Sequence, residues 1–130
     1  MAIKYAIRKK KFKDAEGETQ ELYFATAHRM DIIKTDEIAK LIQEATSLNE
    51  ADIYGALKAL SQVLARQLKS GKSVKLDGVG TFSLSLTSKP SSTAANVPHK
   101  SVKVNKVCFK ADRKLSEEVK NVEVQKLGTL

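Results

Sequence analysis

His28, His99 and Cys108 are the nitrogen- and sulfur-bearing side chains that could ligate a metal, and no two of them stand at a short paired spacing. A zinc centre needs several such ligands converging on one point, so a metal site is not expected. Serines are plentiful, three of them in the polar stretch at residues 87–99, and none reads as standing on a strained turn beside a base. No nucleophile, base and orienting group can be assembled from them, and no catalytic residue is assigned. Cys108 stands beside Phe109 in an alternating segment and reads as a buried strand residue behaving as a small hydrophobe. Gly78-Val79-Gly80 superficially suggests a dinucleotide loop, yet Ser83 stands where a third glycine belongs and the segment leads into a strand. A phosphate cradle needs a helix N-terminus after its glycines. The glycines therefore read as a tight turn between Leu76 and Phe82, and no cofactor is expected.

Lysine is the residue type whose placement carries information. Between Ser83 and Lys110 stand Lys89, Lys100, Lys103, Lys106 and Lys110 without a single acid, and Arg113 and Lys114 follow at a helix start. So one-sided a run is either a solvated face or a track for phosphates. The rest of the charge is uneven as well. Residues 1–13 carry six bases and no acid, residues 14–52 ten acids against three bases, and residues 53–130 fourteen bases against five acids. The Lys9-Lys10-Lys11 run is open to two readings, a phosphate contact or a strand edge guarded by lysines.

The elements that must position these groups follow from periodicity. Residues 3–8 and 21–26 mix β-formers with charge around a turn-like Asp14-Ala15-Glu16-Gly17-Glu18, which predicts a β-hairpin. Thr35 is expected to cap a short helix with Asp36 and Glu37 in its first turn and Ile38, Leu41, Ile42 and Ala45 on one face. A second, longer helix begins near Asn49, with a competing capping box at Ser47 and Glu50. Its stripe is Ile53, Leu57, Leu60, Leu64 and Leu68, and Gly71 ends it. Strands follow at 73–76 and 81–86, with Phe82, Leu84 and Leu86 on one face, and alternation resumes at 101–109, setting Lys103 apart from Val102 and Val104. Residues 87–99 are small and polar and cannot bury enough surface to order themselves. The two strands and this tip make a long β-arm. Asp112 caps a closing helix carrying Leu115 and Val119, and residues 122–127 alternate again, as a strand that could lie beside the N-terminal hairpin.

At 130 residues and 42% hydrophobic content the chain can form one core, but with 5% aromatics and no Trp that core is thin for a lone monomer. A single cysteine permits no intramolecular disulfide, and neither a signal-peptide apolar run nor a membrane-length apolar segment is present. A cytoplasmic protein without a membrane or small-molecule partner is expected. The net charge of +8 doubles to +16 in a homodimer, a field that attracts polyanions.

Two capped helices, Gly71-Lys72, Leu76, the Gly78-Val79-Gly80-Thr81-Phe82 turn, a long arm, then Phe109-Lys110-Ala111 and a closing helix resemble, in that order, the HU/IHF family of DNA-bending proteins. The family turn reads Gly-Phe-Gly-Thr-Phe, and its arm returns into a Phe-Lys-Ala-Gly-Lys-like sequence that Lys114 completes. The resemblance implies an α+β fold: a helical core shared by a homodimer, a β-sheet saddle and a protruding β-arm, here with an added N-terminal β-hairpin. The implied organisation is a hairpin extension at 1–34, the HU/IHF-like domain at 35–121 with its arm at about 83–109, and a C-terminal strand and tail at 122–130. The implied partner is duplex DNA in the nucleoid. Its contacts are the saddle lysines Lys72 and Lys75, the arm lysines Lys89, Lys100, Lys103 and Lys106, and Lys110, Arg113 and Lys114 at the arm's base. Phosphate contacts position a protein without reading sequence, so non-specific or shape-dependent binding is implied. This chain departs from the family in having no proline at the matched tip, Thr93-Ala94-Ala95, no arginine in the arm, and Asp112 in place of a glycine. These departures motivate an alternative, an assembly module on the same scaffold without DNA binding. The terminal additions look like a longer HU-like subgroup of Bacteroides-type bacteria.

Overall fold

The computed structural model describes residues 2–128. In chain order the elements are β1 (Ala2–Lys13), β2 (Thr19–Ala27), α1 (Thr35–Ala45), α2 (Glu50–Lys69), β3 (Val74–Leu76), β4 (Gly80–Thr87), β5 (Lys103–Ala111), α3 (Arg113–Val119) and β6 (Glu123–Lys126). They form an α+β fold of two separate units, Met1–Ile32 with Val119–Leu130, and Ile33–Glu118.

The first unit is a three-stranded sheet in the order β2-β1-β6, with β1 antiparallel to β2 and parallel to β6. The hairpin forms because Asp14 satisfies its own loop. Its Oδ1 accepts the amides of Glu16 at 3.0 Å and Glu18 at 2.9 Å, and Gly17 supplies the positive φ of 83°. The C-terminal strand lies against β1, Ile3 opposite Val124 and Tyr5 opposite Lys126. Because β6 pairs only with Ala2 to Tyr5, the Lys9–Lys11 stretch lies along an edge that no described strand covers. That geometry matches the edge reading of this run.

The second unit packs α1 on α2 and carries a sheet in the order β3-β4-β5. Thr35 is not the α1 cap. Lys34 takes the extended conformation (φ −90°, ψ 171°) and its carbonyl accepts the Ile38 amide at 3.0 Å, so Thr35 is already helical and no side chain caps this end. Asn49 does cap α2, its Oδ1 accepting the Asp52 amide at 2.9 Å. At the other end the Lys72 amide donates to Gln67 and the Gly71 amide to Leu68, with Gly71 at φ 88°. This is the Schellman arrangement, which a left-handed glycine closes without a Cβ penalty. Of the predicted α2 stripe, Ile53 and Leu68 are buried and Leu57, Leu60 and Leu64 are half-buried. In α1 the buried residue is Ala39, one position off the stripe, while Leu41 stays 53% exposed. No large side chain is fully buried among the described residues, so the helix pair of one chain does not complete a core.

Gly80 fixes how closely β4 approaches β5. A Cβ there would lie 2.5 Å from Cε2 of Phe109 and would also strike the Lys110 carbonyl. The absent side chain lets Phe109 lie across the strand, 4.9 Å from Phe82 between ring centroids. The Asp112 side chain accepts the Lys114 amide at 3.2 Å and its carbonyl accepts the Ser116 amide at 3.0 Å, capping α3 as expected.

The stretch 87–99, expected to be unable to order itself, differs from that expectation, for two 3₁₀ turns stand at Ala94–Asn96 and His99–Ser101 between β4 and β5. Polar bonds take the place of apolar burial. The Ser101 hydroxyl donates to the Pro98 carbonyl at 2.6 Å and accepts the Lys89 amide at 3.0 Å, tying the two sides of the arm's end together.

Candidate nucleic-acid interface

Residues directly opposite one another in a sheet project to the same face, and successive residues to opposite faces. The register therefore sorts every side chain of the arm sheet. On one face lie Val74, Leu76, Phe82, Leu84 and Leu86, with Val104, Val107 and Phe109 opposite on β5. On the other lie the β4 hydroxyls of Thr81, Ser83, Ser85 and Thr87, flanked by Lys75 on β3 and by Lys110, Cys108, Lys106 and Lys103 on β5. This second face holds four lysines and no acid.

Strict alternation would not produce it. Lys103 and Lys106 are an odd number of residues apart and belong on opposite faces of a regular strand. Ser85 pairs with Lys106 while the next residue, Leu86, pairs with Val104, so Asn105 is an extra residue on β5. The bulge shifts the phase once. It brings Lys103 onto the face of Lys106 and keeps Val104 with Val107 on the apolar side. The sequence carried the signal as a phase break, apolar residues at 102 and 104 and then at 107 and 109, which the even alternation of that reading passed over.

Lys75 and Lys110 pair with opposite sides of Thr81, which sets their backbones about 10 Å apart across the sheet. From Lys103 to Lys110 the row runs roughly 20 Å along the arm at strand spacing. The β4 hydroxyl row was not among the candidate residues, although Thr81, Ser83, Ser85 and Thr87 alternate with apolar residues in plain view. Hydroxyls and ammonium groups are the side chains that bond phosphate oxygens. Cys108 is half-exposed on this face opposite Ser83, which corrects the expectation of a buried thiol. Register places it among the lysines because Phe109, its neighbour, takes the apolar side.

The other candidates fall elsewhere. Lys89 and Lys100 stand at the arm's end, lining one concavity with Lys103, Pro98 and Ser101. Lys72 closes the α2 terminus and lines a different concavity, with Leu68, Leu84, Leu86 and Val104. Arg113 and Lys114 open α3, where the Arg113 Nε lies 2.9 Å from Glu117 Oε1. That pair is largely exposed, so it competes only weakly for the guanidinium. Among the described residues no group of His, Cys, Asp or Glu is placed to hold a metal ion, and no helix is long and apolar enough to cross a membrane.

This arrangement has relatives. Residues 1–126 match the HU-HIG family, described as an HU domain fused to a wHTH, Ig or glycine-rich motif. The integration host factor subunit alpha of Methylococcus capsulatus is 31% identical over 105 residues, covering 78% of this chain and 93% of that one. Among solved structures, a Bacteroides vulgatus protein provisionally described as a bacterial DNA-binding protein superposes with a TM-score of 0.67 at 14% identity over 99% of this chain. The present chain spans 50% of that protein's length. HU from Anabaena, solved in complex with DNA, matches 68% of this chain and 99% of its own, with a TM-score of 0.51 at 17% identity. The chain therefore belongs to the HU-HIG family, within the HU/IHF-like architectural DNA-binding proteins.

Proposed function

We propose that this chain is a non-enzymatic architectural protein that binds duplex DNA as a homodimer in the nucleoid, with little sequence preference. The observation that carries the reading is the acid-free lysine and hydroxyl face of the arm sheet, kept in phase by the Asn105 bulge. Lys75, Lys103, Lys106 and Lys110 would neutralise phosphates along one strand of backbone. Lys89 and Lys100 extend the track at the arm's end, and Arg113 and Lys114 extend it at the base. Lys72 stands apart from this track, in a concavity lined by Leu68, Leu84, Leu86 and Val104. Ammonium and hydroxyl groups on phosphate carry no base code, which supports positioning without sequence readout.

The homodimer reading rests on the uncovered apolar surface. Phe109 is 51% exposed and Val107 55%, on the face opposite the lysines, while the helix stripe is only partly covered. A second copy would bury these groups and complete the core at roughly 25 cal/mol for each Å² removed from water.

The test is duplex affinity measured across a salt series. A steep fall of log affinity with log salt, about 0.9 per phosphate neutralised, is expected for several unrelated sequences alike. No binding at low salt would refute the reading and favour an assembly module on the same scaffold.

A further inference from the structure

The proposed function leaves the N-terminal sheet without a role, yet one face of that sheet combines cations with exposed aromatic rings. By register, Lys4, Ala6, Arg8, Lys10 and Phe12 of β1 share a face with Leu22, Phe24 and Thr26 of β2, with Arg8 directly opposite Phe24. Phe12 and Phe24 meet edge to face, 5.5 Å between centroids at 73°, and remain 37% and 41% exposed. Lys10 Nζ lies 5.3 Å from the Phe12 centroid. On the opposite face Lys9 is held by Glu21 at 2.7 Å. Arg8 and Lys10 make no such ion pair among the described residues, and the one acid on their face, Glu123, sits opposite Ala2, ten residues along β1 from Phe12.

Phe12 and Phe24 pack on each other and still leave part of each ring open beside Arg8 and Lys10. Bases stack on exposed aromatic faces while cations follow the backbone, and a sheet surface offers both at strand spacing. We infer that this face of β1 and β2 is a second nucleic-acid site, which takes a short segment of single-stranded DNA by stacking bases on Phe24 and Phe12 and pairing phosphates with Arg8, Lys10 and Lys4. The choice of DNA rests on the proposed function, since the arm would hold the chain on a duplex whose locally opened strand is the nearest ligand of this chemistry. Stacking requires free base faces, which an intact duplex does not present.

The experiment uses the full chain with a fluorescent twelve-nucleotide oligo(dT), a twelve-nucleotide oligo(U) and a 24-base-pair duplex. Phe12→Leu with Phe24→Leu keeps apolar volume and removes the stacking faces, and should weaken oligo(dT) binding about tenfold while leaving the duplex unchanged. Arg8→Gln with Lys10→Gln leaves both rings in place, and should lower the oligo(dT) salt slope by about 1.4. Lys103→Glu with Lys106→Glu should do the reverse of the ring variant, losing duplex and keeping oligo(dT), so that failure of the arm reading shows in the duplex alone. The inference is overturned if the ring and Arg8/Lys10 variants both leave oligo(dT) affinity unchanged, or if the arm variant abolishes both ligands. Tenfold tighter binding of oligo(U) would overturn DNA as the ligand.

Discussion

Exchanging two neighbours, Lys103→Val with Val104→Lys, leaves composition, length and net charge untouched and moves one ammonium group from the lysine face to the apolar face. Val104 is 59% exposed and Lys103 is exposed in the single chain, so the exchange opens no cavity within it; because Val104 shares the apolar face that a second copy would cover, light scattering of the variant first checks that the homodimer is kept. If the polar face lies along phosphates, each chain loses one neutralised phosphate and a homodimer loses two. The log-log salt slope should then fall by about 1.8. Over a rise from about 50 to 200 mM salt, this makes the loss of affinity roughly twelvefold smaller than for the parent chain. Fluorescence anisotropy with one duplex at five or six salt concentrations measures both slopes. An unchanged slope would show that attraction depends on net charge and not on the face, and the register argument would fail.

Deleting Asn105 removes the bulge yet keeps Lys103, Lys106 and Lys110 on one face, so duplex affinity should stay within about threefold of the parent in the same assay. Gly80→Ala drives a methyl into Phe109 and the Lys110 carbonyl and should cost about 1–3 kcal/mol, read as a lowered midpoint in thermal denaturation. Asn49→Ala removes the α2 cap and should cost about 1 kcal/mol in urea unfolding, whereas Thr35→Ala should cost much less because Thr35 caps nothing. Light scattering at micromolar concentration should return twice the 14.3 kDa chain mass, and a 14.3 kDa species would contradict the shared core.

What could be read in advance was chemistry that acts over a few residues. Asn49, Gly71 and Asp112 were legible as caps because their hydrogen bonds close within one helical turn. The hairpin was legible because Asp14 and Gly17 determine its loop. Thr35 was misread because a good capping side chain does not decide which residue takes the extended conformation, and here the chain enters α1 one residue earlier. The arm's end differs from the expectation because composition speaks to apolar burial, while the Ser101 hydroxyl holds it by donating to the Pro98 carbonyl and accepting the Lys89 amide.

The candidate site was legible as a list of lysines but not as a surface. A list carries no face, and the face depends on pairing register and on one extra residue at Asn105. Pairing gathered Lys75 from a separate strand and added the β4 hydroxyls, while Lys72 lies before β3 and outside the register. Cys108 went to the lysine face for the same reason.

Lysine reactivity mapped by mass spectrometry, after brief acetylation of the free chain and of its complex with a 24-base-pair duplex, tests the central claim most directly. Duplex should shield Lys75, Lys103, Lys106 and Lys110 together while leaving Lys58 and Lys120 as reactive as before. Equal protection of all lysines, or protection that spares these four, would contradict a phosphate-binding face on the arm sheet.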